Sequence, residues 1–150
     1  MTVRVETITK DGLPAIIDGI MEIEKHSFSV PWTAEDFAVS AERGTVAVSL
    51  GDDGRTLGYG CAFFIEDEAE ITNLAVTADE RKRGIGGAIL DFLIETAGRS
   101  SVRKIYLEVR ESNAGAIALY SSRGFNMIGK RTGYYRLPKE DAIIMMLEIG

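Results

Sequence analysis

Hydrophobic positions along this chain alternate between two periods, and the switches mark its elements. Val3 to Ile8 alternates apolar and polar and predicts a strand. Leu13-Pro14 then opens a helix, with proline near the first position, where its missing N–H costs little. Ile16, Ile17, Ile20 and Ile23 form a helical stripe through about His26. Pro31-Trp32 breaks the chain, and Thr33-Ala34-Glu35-Asp36 resembles a capping box opening a short helix to about Ala41. Thr45–Leu50 and Leu57–Ile65 read as strands around a Gly51-Asp52-Asp53-Gly54 turn. After the charged turn Glu66-Asp67-Glu68, Ala69–Val76 makes another strand. Ile85 to about Ala97 is a long helix, with Gly98 expected at its C-cap. Lys104–Val109 is a strand with Ile105, Leu107 and Val109 facing one way. Ser112-Asn113 caps a helix to about Arg123, and Phe125–Gly129 and Ala142–Ile149 close the chain as strands. The order is strand, two helices, three strands, helix, strand, helix, two strands. It predicts one α/β (α+β) domain over residues 1–150, a mixed and largely antiparallel sheet flanked by about four helices.

Composition narrows the chemistry. A chain of 150 residues can bury about two thirds of its unfolded surface without a staple. A single cysteine, Cys61, excludes an intramolecular disulfide framework, and one cysteine with one histidine argues against a structural zinc site. The apolar runs fall short of a membrane span, and the first residues lack a signal-peptide core, so a cytoplasmic location is expected. The net charge of −6 speaks against general nucleic-acid binding. Its distribution is uneven: residues 1–75 carry a net −9 and residues 76–150 a net +3. The basic half suits an anionic cofactor and the acidic half a basic partner.

Three cations and three glycines stand together in Arg81-Lys82-Arg83-Gly84-Ile85-Gly86-Gly87, between a strand and a helix. Backbone amides at glycine approach a ligand closely, and a helix start adds unpaired donors and a positive dipole end. The pattern is an anion cradle. It does not fit a Walker A loop or a dinucleotide fingerprint. It matches the bare GxxG of a KH loop, but the strand before it and the acidic chain disfavour RNA.

Leu74-Ala75-Val76 followed by Arg81-Lys82-Arg83-Gly84-Ile85-Gly86 resembles the acetyl-CoA motif of the GNAT N-acetyltransferases, with arginine where glutamine is commoner. Leu107 to Asn113, Ala116 to Tyr120, Gly124-Phe125, Glu140 to Met145, Ile23-Glu24 and Pro31-Trp32 are similar to the RimI-type branch, which acetylates the N-terminal alanine of a small-subunit ribosomal protein. The segment His26 to Val30 follows that branch only loosely. The resemblance implies acetyl-CoA as co-substrate and no metal. It implies main-chain pairing of Leu74, Ala75 and Val76 with the pantetheine arm, and amides from Lys82 to Gly87 around the pyrophosphate. It implies cofactor contact for Asn113, a general base in Glu108, a general acid in Tyr120, and a groove lined by Glu24, Trp32, Tyr134 and Tyr135. The implied partner is a basic ribosomal protein N-terminus. Two other readings stay open at this point: acetylation of a lysine or small amine, and a non-catalytic acyl-CoA-binding module. His26 is expected at a helix end, and Cys61 as a buried apolar residue.

Overall fold

The structure, a computed structural model, describes residues 3–150. Its strands and helices follow in the order the periodicity predicts: β1 (Val5–Thr7), α1 (Ile17–Ser27), α2 (Ala34–Arg43), β2 (Gly44–Leu50), β3 (Thr56–Ile65), β4 (Glu68–Val76), α3 (Ile85–Arg99), β5 (Lys104–Arg110), α4 (Ala114–Ser122), β6 (Asn126–Arg136) and β7 (Lys139–Glu148). The seven strands form one sheet in the order β1-β2-β3-β4-β5-β7-β6. Only the β4–β5 neighbours run parallel, because α3 carries the chain back between them.

Each face of the sheet is buried under helices. On β2, Val46 and Val48 join Ile20, Ile23 and Phe37 beneath α1 and α2, while Ala47 joins the opposite cluster with Ile89, Leu90 and Leu93 of α3. Burying an aliphatic side chain of this size contributes about 1.5–3 kcal/mol, so α3 is anchored chiefly by that stripe. It lies so close to β3 that a Cβ on Gly60 would sit 2.8 Å from Ile89 Cγ2. Thr33 caps α2 as expected: its hydroxyl accepts from the Asp36 amide, and the Asp36 carboxylate accepts from the Thr33 amide.

The first strand is Val5–Thr7, shorter than the Val3–Ile8 expected, and three further boundaries differ from the sequence reading. The helix expected from Leu13 is two pieces, a 3-10 turn at Leu13–Ala15 and α1, separated at Ile16. Gly98 lies inside α3, and the left-handed residue that ends the helix is Ser101, with φ 63°. There the Val102 amide reaches back to the Ala97 carbonyl at 3.0 Å and the Ser101 amide to Gly98 at 3.2 Å. β6 is far longer than Phe125–Gly129, and β7 starts at Lys139 instead of Ala142 and ends at Glu148. Most of β6 is solvent-exposed at the sheet edge, so it carries no apolar alternation to read.

Candidate active site

The site begins where two parallel strands part. β4 and β5 pair only over Glu68–Ile71 and Lys104–Leu107. Beyond that, β4 keeps its β3 partners, with Leu74 opposite Gly60, Ala75 opposite Tyr59 and Val76 opposite Gly58. On the other edge Asn73 to Val76 have no strand partner, so those backbone groups face an opening wedge. A cleft of about 720 Å³ fills it.

A bulge prepares this edge. Cys61 pairs with Asn73 and Ala62 with Ile71, so Thr72 is an extra residue on β4. One extra residue inverts the alternation of everything after it. Ala69 and Ile71 pack toward α3, whereas Ala75 packs toward α1 and α2. Glu70 and Asn73 therefore share a face, despite standing three apart on one strand.

Glu108 follows on β5 between Leu107 and Val109, which point into the core. Its own side chain leaves on the opposite face and lines the cleft. Glu108 Oε2 is shielded from solvent and lies 3.3 Å from Arg131 Nε, without the alignment of a hydrogen bond. Tyr120, in the last turns of α4, lines the same cleft. Its ring meets Phe125 edge to face at 5.8 Å, and its hydroxyl has no hydrogen-bond partner among the described residues. Burial holds the phenol up at about 12. Asn113 caps α4, its Oδ1 accepting from the Ala116 amide at 3.2 Å, and its residue also borders the cleft. Asn113 and Tyr120 thus share one helix face, as their spacing indicates.

Tyr134 and Tyr135 both reach the cleft, although adjacent strand residues ordinarily point apart. The β6–β7 register explains this. Arg131 pairs with Ala142 and Tyr135 with Glu140, so β6 carries two more residues than β7 across that interval. Gly133, at φ 62°, turns the backbone inside it and donates its amide to Asp141 Oδ1 at 2.7 Å. The rings meet edge to face at 5.1 Å. Tyr135 is raised to about 12, first by burial and then by the Glu108 charge. Tyr134 is raised chiefly by that charge.

Trp32 lines the cleft and packs on Phe37, with ring centres 5.1 Å apart. Glu24 does not line it, which corrects the sequence reading. Only 1% of Glu24 is exposed. Its carboxyl accepts from Tyr59 Oη, from Asn73 Nδ2 at 3.0 Å and from the Trp32 amide at 2.8 Å. It sits behind the wall and fixes two residues that form the wall. Burial, with Glu24 beside it, pushes Tyr59 well above the usual phenol range.

At the far end of the wedge lies the glycine-rich turn. Gly84 precedes α3 at φ 82°, and Lys82 has φ 66°. The amides from Arg81 to Gly87 find no backbone acceptor among the described residues; the first to do so is Ala88, which donates to the Gly84 carbonyl at 3.0 Å. Seven consecutive free donors beside a helix N-terminus fit a pyrophosphate. Lys82 and Arg83 supply the cations, with Arg83 held 3.2 Å from Glu80, while Arg81 donates to the Val76 carbonyl at 3.4 Å. An unpaired strand edge leading to an anion cradle suits a cofactor with an amide-bearing arm and phosphates.

A family model described as the acetyltransferase (GNAT) family matches residues 17–125. The chain belongs to the GNAT acetyltransferase family. The [ribosomal protein bS18]-alanine N-acetyltransferase of Escherichia coli K12 is 38% identical over 130 residues, covering 85% of this chain and 88% of that protein. A crystal structure of the E. coli ribosomal-protein-S18-alanine N-acetyltransferase has a TM-score of 0.86 at 34% identity, over 99% of this chain and 95% of that one. Arabidopsis thaliana NAA60 in complex with acetyl-CoA shares the fold, with a TM-score of 0.84 at 19% identity over 99% and 100% of the two chains. The seven-stranded GNAT sheet and its four α-helices are therefore the architecture of this chain.

Sequence reasoning missed four residues around this GNAT cleft: Glu70, Asn73, Arg110 and Arg131. A carboxylate at Glu70 beside an apolar alternation was a usable signal. The Thr72 bulge, which decides where Asn73 points, left none. The described residues hold no group of three potential metal ligands and no helix long and apolar enough to cross a membrane.

Proposed function

We propose that this GNAT enzyme transfers the acetyl group of acetyl-CoA to the N-terminal α-amine, an alanine, of a small-subunit ribosomal protein. The observation that carries the reading is that Glu108 and Tyr120 line one cleft where β4 and β5 diverge, in a chain 38% identical to enzymes named for that reaction. Bound acetyl-CoA supplies an activated thioester. The chain's residues do the rest. The free edge of Leu74 to Val76 aligns the arm as an added strand. The amides of Lys82 to Gly87, with Arg81, Lys82 and Arg83 about them, neutralise the phosphates. Asn113 borders the arm's path at the start of α4.

An attacking amine must be neutral, and an α-amine with pKa about 7.7–8.0 is roughly 10–20% neutral at pH 7. Glu108 accepts the proton the amine loses as its nitrogen bonds to the acetyl carbon. Tyr120 delivers a proton to sulfur as the carbon–sulfur bond breaks. A phenol near 12 is protonated throughout the physiological range. It gives up that proton readily only to a thiolate that is itself desolvated, and the wall that buries Tyr120 imposes that condition. Trp32, Tyr134 and Tyr135 enclose the acceptor's first residue, and Glu24 acts through Trp32 and Asn73. The one cysteine, Cys61, is buried away from the cleft, which supports direct transfer in a ternary complex without an acyl-enzyme.

The test is CoA thiol release with a peptide beginning Ala-Arg and with the same peptide blocked at its N-terminus but bearing free lysines. Release with the free α-amine alone supports the proposal. Release with the blocked peptide moves the acceptor to lysine, and binding of acetyl-CoA without release to any amine makes the protein a non-catalytic binding module.

A further inference from the structure

A second cleft, of about 350 Å³, opens on the sheet face from which Glu108 projects. It shares Glu70 and Glu108 with the larger cleft, so the two adjoin at those side chains. Phe63, Ile65 and Tyr106 give it an apolar wall, and Glu68, Glu70 and Glu108 set three carboxylates against one cation, Arg131. Ile65 is 72% exposed, so the wall stands open to a ligand arriving from solvent.

The carboxylates are unevenly satisfied. Glu68 accepts from Tyr106 Oη at 3.4 Å, and Glu108 has Arg131. Glu70 has neither a hydrogen bond nor an ion pair among the described residues. Its carboxyl is raised first by the protein atoms crowding it and then by the Glu108 charge, although its side chain still reaches solvent. Like charges on adjacent strands cost energy unless a cation joins them. An apolar wall with an unpaired carboxylate at its lip suits a side chain with an aliphatic stem and a cationic head, which is the chemistry of arginine and lysine.

We propose that this second cleft is a specificity subsite for a basic side chain near the start of the acceptor peptide, with Glu70 as the residue that reads it. The inference rests on the acetyl-transfer reading above, since the occupant is the chain that continues from the acceptor amine. An amine placed beside Glu108 leaves its chain next to this cleft, whose lining runs from Glu108 along Glu68 to Glu70 of β4 and Tyr106 to Glu108 of β5. Glu70 here determines specificity and takes no part in proton transfer.

The test uses short, otherwise uncharged peptides beginning with alanine, carrying one arginine, glutamine or glutamate at the second, third or fourth position. For the wild type, arginine at one of these positions should lower KM roughly fivefold relative to glutamine, with kcat little changed, and glutamate should raise KM. Glu70 is exposed and unpaired, so Glu70→Gln should fold normally and keep its kcat while losing most of that preference. A wild type indifferent to all three residues, or a preference that survives intact in Glu70→Gln, would overturn the subsite. Should the N-blocked lysine peptide prove the real acceptor, the same substitutions beside that lysine score the subsite, so the two readings fail separately.

Discussion

The guanidinium of Arg110 lies 4.2 Å from the centre of the Tyr135 ring and joins two loops that meet at the cleft mouth. Its Nη2 donates to Ser29 Oγ and to the Leu137 carbonyl, each at 3.1 Å, and its Nη1 to the Pro138 carbonyl at 3.0 Å. Ser29 belongs to the α1–α2 connection and Leu137-Pro138 to the β6–β7 turn. The fork geometry of arginine is needed, because an ammonium cannot serve three acceptors and a ring face together. Arg110→Lys should therefore raise the acceptor KM by about tenfold and leave the KM for acetyl-CoA within about twofold. Steady-state kinetics with each substrate varied in turn check the split. An equal rise in both would assign Arg110 to general stability.

Glu108→Gln removes the proposed base and keeps the shape. The loss in kcat should be about 10²-fold near pH 7 and shrink as pH rises past the α-amine pKa, where the free amine supplies itself. A rate profile parallel to wild type across that range would exclude Glu108 as the base.

Tyr120→Phe separates chemistry from folding. The hydroxyl has no partner among the described residues, so its removal leaves no orphaned group there and should move Tm little, while kcat falls by roughly 10–100-fold. Thermal melting and CoA release on the same preparation give both readouts.

Alkaline stability follows from the same residue. The folded phenol titrates near 12 and the unfolded one near 10, so the folded state is favoured below pH 10 and that contribution is lost as pH rises toward 12. Tyr59, also raised, acts in the same direction. Urea midpoints should fall across that window in the wild type and fall less in Tyr120→Phe.

At the anion cradle, Gly84→Ala meets no atom within 4 Å, so its whole effect comes from the backbone at φ 82°. The strain is about 1 kcal/mol, or roughly 2–4 °C in Tm. Acetyl-CoA binding should weaken by more than the melting shift implies, because the amides of the turn would tilt. Calorimetric titration of CoA measures it.

What could be read from the sequence was what local chemistry dictates. The Thr33 capping box, the Asn113 cap, the β5 alternation and the glycine-rich turn each declare themselves within a few residues. The β6–β7 hairpin did not, because an exposed edge strand has no apolar rhythm. The position of Glu24 was also out of reach. A carboxylate at the end of an amphipathic helix reads as surface, and only the Tyr59 and Asn73 partners, 35 and 49 residues away, draw it inside. The pairing of Tyr134 with Tyr135 on one side depends on a register shift that composition does not encode.

The extra residue at Thr72 makes the parity of β4 a constraint separate from its composition. Any side chain that tolerates the bulge can occupy that position, but the same residues paired in a regular ladder, with Thr72 taking its turn in the alternation, would present Asn73 to α3 and Leu74 to Glu24. The carboxyl would lose a donor and gain a leucine, and the edge offered to the cofactor arm would turn its other face outward. Substitutions at Thr72 that keep the bulge should thus be borne easily, while any change that draws Thr72 into the regular ladder removes the wall of the cleft.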